Sequence, residues 1–191
     1  VQTLTSRLAG ENVIITVKSD WHTLIDDDHI LLAENEQSIE NAQNVDGVLI
    51  NIFQPHVEDY QGLAQTDNPA LDLLRYIVDR PVYVGNAHLI APHGFMWGDQ
   101  YAAFYTLANT KNHYILVIAV YVEAIDDVIV ININVPEVES EQLRTTLING
   151  IQSIVIGDVE LTGDHLRALP EPILFPSGDV EIATDNTPQA P

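Results

Sequence analysis

The densest ligand-like run in the chain is Asp26-Asp27-Asp28-His29. Oxygen-rich clusters hold Ca²⁺, and a histidine beside them invites Zn²⁺ or Mn²⁺. The spacing lacks the alternating acids and the glycine of an EF-hand loop, so the competing reading is a solvated hairpin turn. His88 and His93, with His22 earlier in the chain, offer a second imidazole set. Pro92 interrupts that pair, which removes the one-face helical geometry of a zinc protease and favours surface or core-edge imidazoles. None of Ser6, Ser19, Ser38, Ser140, Ser153 or Ser177 sits in Gly-x-Ser-x-Gly, the sharp turn that exposes a nucleophilic hydroxyl. The paired carboxylates Asp126-Asp127 and Glu58-Asp59 fall in expected turns, where solvated acids are poor acid–base catalysts. Gly94 and Gly98 fit no phosphate-cradling pattern. The absence of cysteine removes thiol nucleophiles, disulfides and Cys-ligated metals together. The reading therefore names no catalytic residue and no cofactor, and it keeps Asp26, Asp27, Asp28 and His29 as the metal candidates.

The segment Gly94-Phe95-Met96-Trp97-Gly98 is the most unusual apolar stretch, with three heavy side chains between glycines. Core packing at a strand entrance explains it, and so does an exposed aromatic patch, because Trp, Met and Phe are favoured in interface cores. Tyr101, Tyr105, Tyr114 and Tyr121 add aromatic area on the adjoining expected strands. Phe95, Met96 and Trp97 are the candidate partner-binding residues.

Charge narrows the partners. The 191 residues hold 7 Lys and Arg against 28 Asp and Glu, a formal net charge of −21. Nucleic-acid affinity comes mostly from basic side chains neutralising phosphates, so DNA, RNA and anionic membrane surfaces are poor partners. The 46% hydrophobic content, gathered in clusters such as Ile115-Leu116-Val117-Ile118, belongs to a folded globular chain rather than a disordered one. No apolar run reaches the roughly 20 residues needed to span a bilayer. The sole methionine is Met96, so Val1 is not an initiator. With the low lysine count, this suggests an extracytoplasmic domain whose signal or lipid anchor lies upstream of Val1.

The elements follow from periodicity and punctuation. Residues 12–18, 29–33 and 47–53 read as strands, and the run at 26–28 as a hairpin connection. Residues 35–43 favour a short helix. At Asp67-Asn68-Pro69 a capping side chain precedes proline at the first helical position, and a helix follows to about Arg80. Ala70, Leu73, Leu74, Ile77 and Val78 share one stripe, while Asp72, Arg75 and Asp79 are expected to face outward. Strands near 83–91, 97–108, 113–123 and 127–134 form an antiparallel meander. A closing helix over 138–154 then presents Leu143, Leu147, Ile148, Ile151 and Ile154, with Gly150 weakening its interior by about 1 kcal/mol. The division is an N-terminal extension over 1–9, one domain over 10–156 and a C-terminal extension or tail over 157–191.

This order resembles the PsbP-like fold in its secreted or lipid-anchored bacterial form. The resemblance rests on Val13-Ile14-Ile15-Thr16-Val17 followed by Trp21, on residues 30–35 followed by Ser38, on Gly98 with Ala102-Ala103, on the strand pair 113–134, and on the closing helix ending in Ser153-Ile154. It implies an α+β domain, an antiparallel twisted sheet flanked by helices on both faces (an α-β-α sandwich), and accessory or assembly roles without catalysis. The expected function is a non-enzymatic module that binds an envelope protein. The alternative is a small-molecule or divalent-metal binding protein of the envelope, and an enzyme comes third.

Overall fold

The computed structural model describes residues 1–8, 10–26, 29–41, 45–55, 66–78, 87–108, 113–157, 159–162 and 164–165. Runs rich in valine, isoleucine and threonine fold as strands, where branched side chains pack well on a pleated surface. They are β1 (Gln2–Leu8), β2 (Glu11–Val17), β3 (His22–Ile25), β4 (His29–Ala33), β5 (Leu49–Phe53), β6 (Ala87–Trp97), β7 (Gln100–Ala108), β8 (His113–Val122), β9 (Asp127–Pro136), β10 (Ile151–Ile156) and β11 (Val159–Thr162). The helices among the described residues are α1 (Glu36–Glu40), α2 (Pro69–Val78) and α3 (Leu143–Gly150), with 3-10 turns at Glu123–Ile125 and Glu137–Gln142.

The strands form two antiparallel sheets, a four-stranded one in the order β1-β2-β10-β11 and a seven-stranded one in the order β3-β4-β5-β9-β8-β7-β6. The main core lies between them. Val13, Ile15, Val17, Ile154 and Ile156 of the small sheet meet Ile30, Ile50, Ile52, Leu116, Ile118, Ile131 and Ile133 of the large one. The opposite face of the large sheet carries α2, whose Ala70, Leu73 and Leu74 pack on Ala103, Tyr105, Leu107, Val117, Ala119 and Val130.

This corrects the expected fold class. The protein is mostly β, a sandwich of two sheets, and not a single sheet with helices on both faces. One face of the large sheet is covered by the second sheet and the other by α2. The difference arises at the two ends of the described chain. Residues 2–8 pair with β2 from Gln2↔Val17 to Leu8↔Glu11. The expected helix over 138–154 divides into a 3-10 turn, α3 and β10. Gly150 ends α3, the Lys18 N–H donates to the Gly150 carbonyl at 2.8 Å, and β10 then pairs with β2. Ile151, Ile154 and Ile156 face the core from that strand, so their spacing satisfies a sheet as well as a helix.

Helix α2 starts as its sequence signals require. Asn68 Oδ1 accepts from the Leu71 N–H at 3.0 Å, and Pro69 follows at the first helical position. Asp72, expected to face outward, is instead 5% exposed. Its carboxylate accepts from the Thr66 N–H and hydroxyl, both at 3.0 Å, closing the turn before the helix. The meander expected from the second half is present as β6 to β9 with its first boundary moved: the expected break between 91 and 97 is part of β6, which runs to Trp97, and the turn falls at Gly98-Asp99. The helix end at Arg80, the break at 109–112 and the segment beyond 165 lie outside the described residues. Among the described residues, no helix is long and apolar enough to cross a membrane.

Candidate partner-binding surface

The hairpin of β6 and β7 positions Phe95, Met96 and Trp97. Trp97 pairs with Gln100 across a two-residue turn whose first residue, Gly98, has φ of 61°, the left-handed conformation that glycine adopts without steric cost. A Cβ on Gly98 would lie 3.0 Å from the His165 imidazole, so the turn is also closely backed. His165 is held in turn by the Thr162 N–H, which donates to its Nδ1 at 3.1 Å.

Alternation along β6 splits the three candidates. Trp97 is 2% exposed and belongs to the main core. Phe95 is half-buried, with its ring 6.3 Å from Trp97 and edge-on to Phe104 at 5.7 Å. Met96 points the other way and is 53% exposed. It stands directly opposite Tyr101 of β7, which is 42% exposed. Trp97 and Phe95 are thus the footing, and the surface itself is Met96 with Tyr101. The Trp97 indole N–H is buried and finds no partner among the described residues.

Of the metal candidates, Asp26 and His29 are hydrogen-bonded to each other where β3 gives way to β4. Asp26 Oδ1 accepts from the His29 N–H at 2.7 Å and lies 3.6 Å from His29 Nδ1. The His29 ring tilts against Phe53 at 5.9 Å. Asp27 and Asp28 lie outside the described residues. His22 is exposed on β3, His93 packs edge-on to Phe104, and the His88 side chain lies outside the described set. Among the described residues, no three histidines or acids gather in a geometry that holds a metal ion.

Two features went unread in the sequence. On the α2 face of the large sheet, Asn51 of β5 pairs in register with Asn132 of β9, and Asn134 lies two residues further along. Their three Oδ1 atoms are buried without a hydrogen-bond partner among the described residues. The signal was the alternation Ile131-Asn132-Ile133-Asn134, which puts polar side chains on one face of a central strand. The second feature is Glu139, whose carboxyl is held above the usual range by burial first and then by the charges of Asp46 and Glu34. Glu139 comes from the 3-10 turn after β9, and Glu34 and Asp46 from the segment between β4 and β5, so only the fold brings them together.

No family model matches the chain, and no curated protein matches it. Among solved structures it resembles the Saccharomyces cerevisiae Ran-binding protein Mog1p, with a TM-score of 0.43 and 13% identity over 76% of this chain and 82% of that one. The structure of a point mutant of Mog1 gives the same score and identity over 76% and 84%. A likeness this loose says nothing of what the chain binds. The expected membership of the PsbP-like family is corrected: no family model supports it, and the fold is a sandwich of two sheets rather than one sheet with helices on both faces.

Proposed function

We propose that the chain is a non-enzymatic protein-binding module of the extracytoplasmic space that engages a basic envelope protein at the β6–β7 hairpin. The observation that carries this reading is the Met96–Tyr101 pair, two large side chains exposed opposite each other on a chain of net charge −21. The rings of Phe95 and Trp97 beneath them hold the hairpin in place, so little conformational freedom is lost when a partner covers the pair. The acidic surface disfavours self-association and steers basic partners. The non-enzymatic part of the reading rests on the absence of thiols and of a nucleophile-elbow serine, and the compartment on the scarcity of lysine. The test is a Met96→Glu, Tyr101→Glu double variant compared with the parent in quantitative co-purification from cells that make the protein. The partner is lost at an unchanged unfolding midpoint if the reading holds, and retention of the partner overturns it.

The row of asparagines favours a second reading, a small-molecule binding protein. Three buried carboxamide oxygens call for hydrogen-bond donors, because an unpaired buried acceptor costs about 1–3 kcal/mol. Native mass spectrometry decides between an organic adduct, a mass lost on chelation and a bare chain. A stoichiometric adduct that disappears in Asn51→Leu would put this reading first.

A further inference from the structure

The face of the large sheet that carries α2 is only partly covered by it. α2 packs toward the β6 side, on residues such as Ala103, Val117 and Ala119. On the other side, Ile39 of α1 and Val45 pack on Ala33 and Leu49. Between these two covers, one row of directly paired residues crosses four strands. Leu24 of β3 stands opposite Leu31 of β4, Leu31 opposite Asn51 of β5, and Asn51 opposite Asn132 of β9. The row then meets Val117, which belongs to the cluster under α2. Neighbouring strands lie about 4.8 Å apart, so the strip runs for roughly 14 Å from the edge of the sheet to the foot of the helix.

Leu24, at the edge, is 48% exposed, and Leu31, Asn51 and Asn132 are half-buried. The Oδ1 atoms of Asn51 and Asn132, and of Asn134 beside them, have no hydrogen-bond partner among the described residues. A buried acceptor without a donor is rare in a folded protein. With no bond to hold its oxygen, a carboxamide turns about χ2 at little cost, and that turn exchanges its oxygen and its NH2 at the surface. The strip thus presents two apolar side chains and then carboxamides that call for donors. On its flank stands Phe53, two positions past Asn51 on the same face, with its ring 5.9 Å from that of His29.

Charge restricts what fills the strip. Its four side chains are uncharged, so none of them offsets the desolvation of an ion. A chain of net charge −21 also repels anions. The ligand is therefore neutral, rich in donors, and apolar over part of its surface. A sugar ring meets all three conditions. Its hydroxyls both donate and accept, as a carboxamide does, and its C–H face packs on leucine or phenylalanine.

We propose that the strip formed by Leu24, Leu31, Asn51 and Asn132 binds a neutral saccharide, about two rings long to match its length, with hydroxyls on the asparagines and a ring face on the leucines. This rests on the small-molecule reading of the asparagine row and names its ligand class.

The test is isothermal titration calorimetry of the full chain with maltose, cellobiose and N,N′-diacetylchitobiose, against spermidine and N-acetylglycinamide as a cationic and an amide probe. Saturable binding of at least one disaccharide is expected, insensitive to salt and about tenfold weaker in Asn51→Leu, which removes a hydrogen-bonding side chain. That variant is expected to unfold at or above the parent's urea midpoint, since it also removes an unpaired acceptor. Where Asn51→Leu does not fold, Leu24→Glu, at an exposed position, weakens the same binding. No saturable heat with any of the disaccharides, or binding that the folded variant leaves unchanged, overturns the proposal. Binding of spermidine or the amide alone, lost in Asn51→Leu, overturns the sugar class and keeps the small-molecule reading. A chain that binds none of these probes and is bare in native mass spectrometry removes that reading too.

Discussion

Gly150 shows how one side chain fewer decides a packing. A Cβ there would lie 2.2 Å from Cζ2 and 2.4 Å from Cε2 of Trp21, far inside contact distance. Trp21 is itself 6% exposed and part of the main core. Alanine normally stabilises a helical position relative to glycine. Here Gly150→Ala is expected to destabilise by roughly 1–3 kcal/mol, as overpacking does, which a shift in the urea midpoint at unchanged slope would establish. Glu139 makes a prediction of opposite sense. Its carboxyl holds its proton to higher pH when folded than when unfolded, so its contribution is fully present at acid pH and is lost as pH rises through the raised folded value. Glu139→Gln is therefore expected to raise the melting temperature at neutral pH, by roughly a degree or two, with the gain vanishing below the ordinary glutamate range. A gain that persists in acid would assign the effect to something other than titration. The sequence could not disclose this, because Glu34, Asp46 and Glu139 are scattered along it. It did mark Phe95, Met96 and Trp97, but only strand alternation tells that Trp97 goes in and Met96 comes out.

Helix α2 is legible in its start signals and is tied to the sheet by the same residue that caps it. Asn68 Oδ1 accepts from Leu71, and its Nδ2 donates to the Ala102 carbonyl of β7 at 2.8 Å. Asn68→Ala is expected to cost roughly 1–2 kcal/mol, the upper part of the range for a lost cap. Asn68→Asp keeps the acceptor and removes the donor to Ala102, so comparing the two variants by chemical denaturation separates capping from docking. β7 to β9 were readable much as α2 was, whereas β6 was not, because Pro92 and Gly94 read as a break and the strand runs through them to Trp97. β1 was not, since Gln2-Thr3-Leu4-Thr5-Ser6-Arg7 has too few apolar residues to announce itself and depends on pairing with β2. β10 was hidden differently. Leu143, Leu147, Ile151 and Ile154 fit helical spacing throughout, and only the contacts of Gly150 with Trp21 and Lys18 show where the helix must stop.

For the molecule as a whole, the two sheets draw on different parts of the chain. The large sheet is built from residues 22–136, while the small sheet joins residues 2–17 to residues 151–162. Ile15 and Ile154, paired across β2 and β10, are roughly 140 positions apart, a long-range contact of the kind that slows folding. During synthesis the β1–β2 hairpin emerges ahead of the large sheet and waits for its third strand until β3 to β9 have been made. Through that interval the isoleucine face of the large sheet has half a cover. A chain stopped after Gly150 is expected to bind a hydrophobic dye and to sediment as aggregates, whereas addition of a peptide spanning 151–162 should restore a monomer. The strands added last therefore act as the clasp of the molecule, and premature termination before them is more damaging than their modest length suggests.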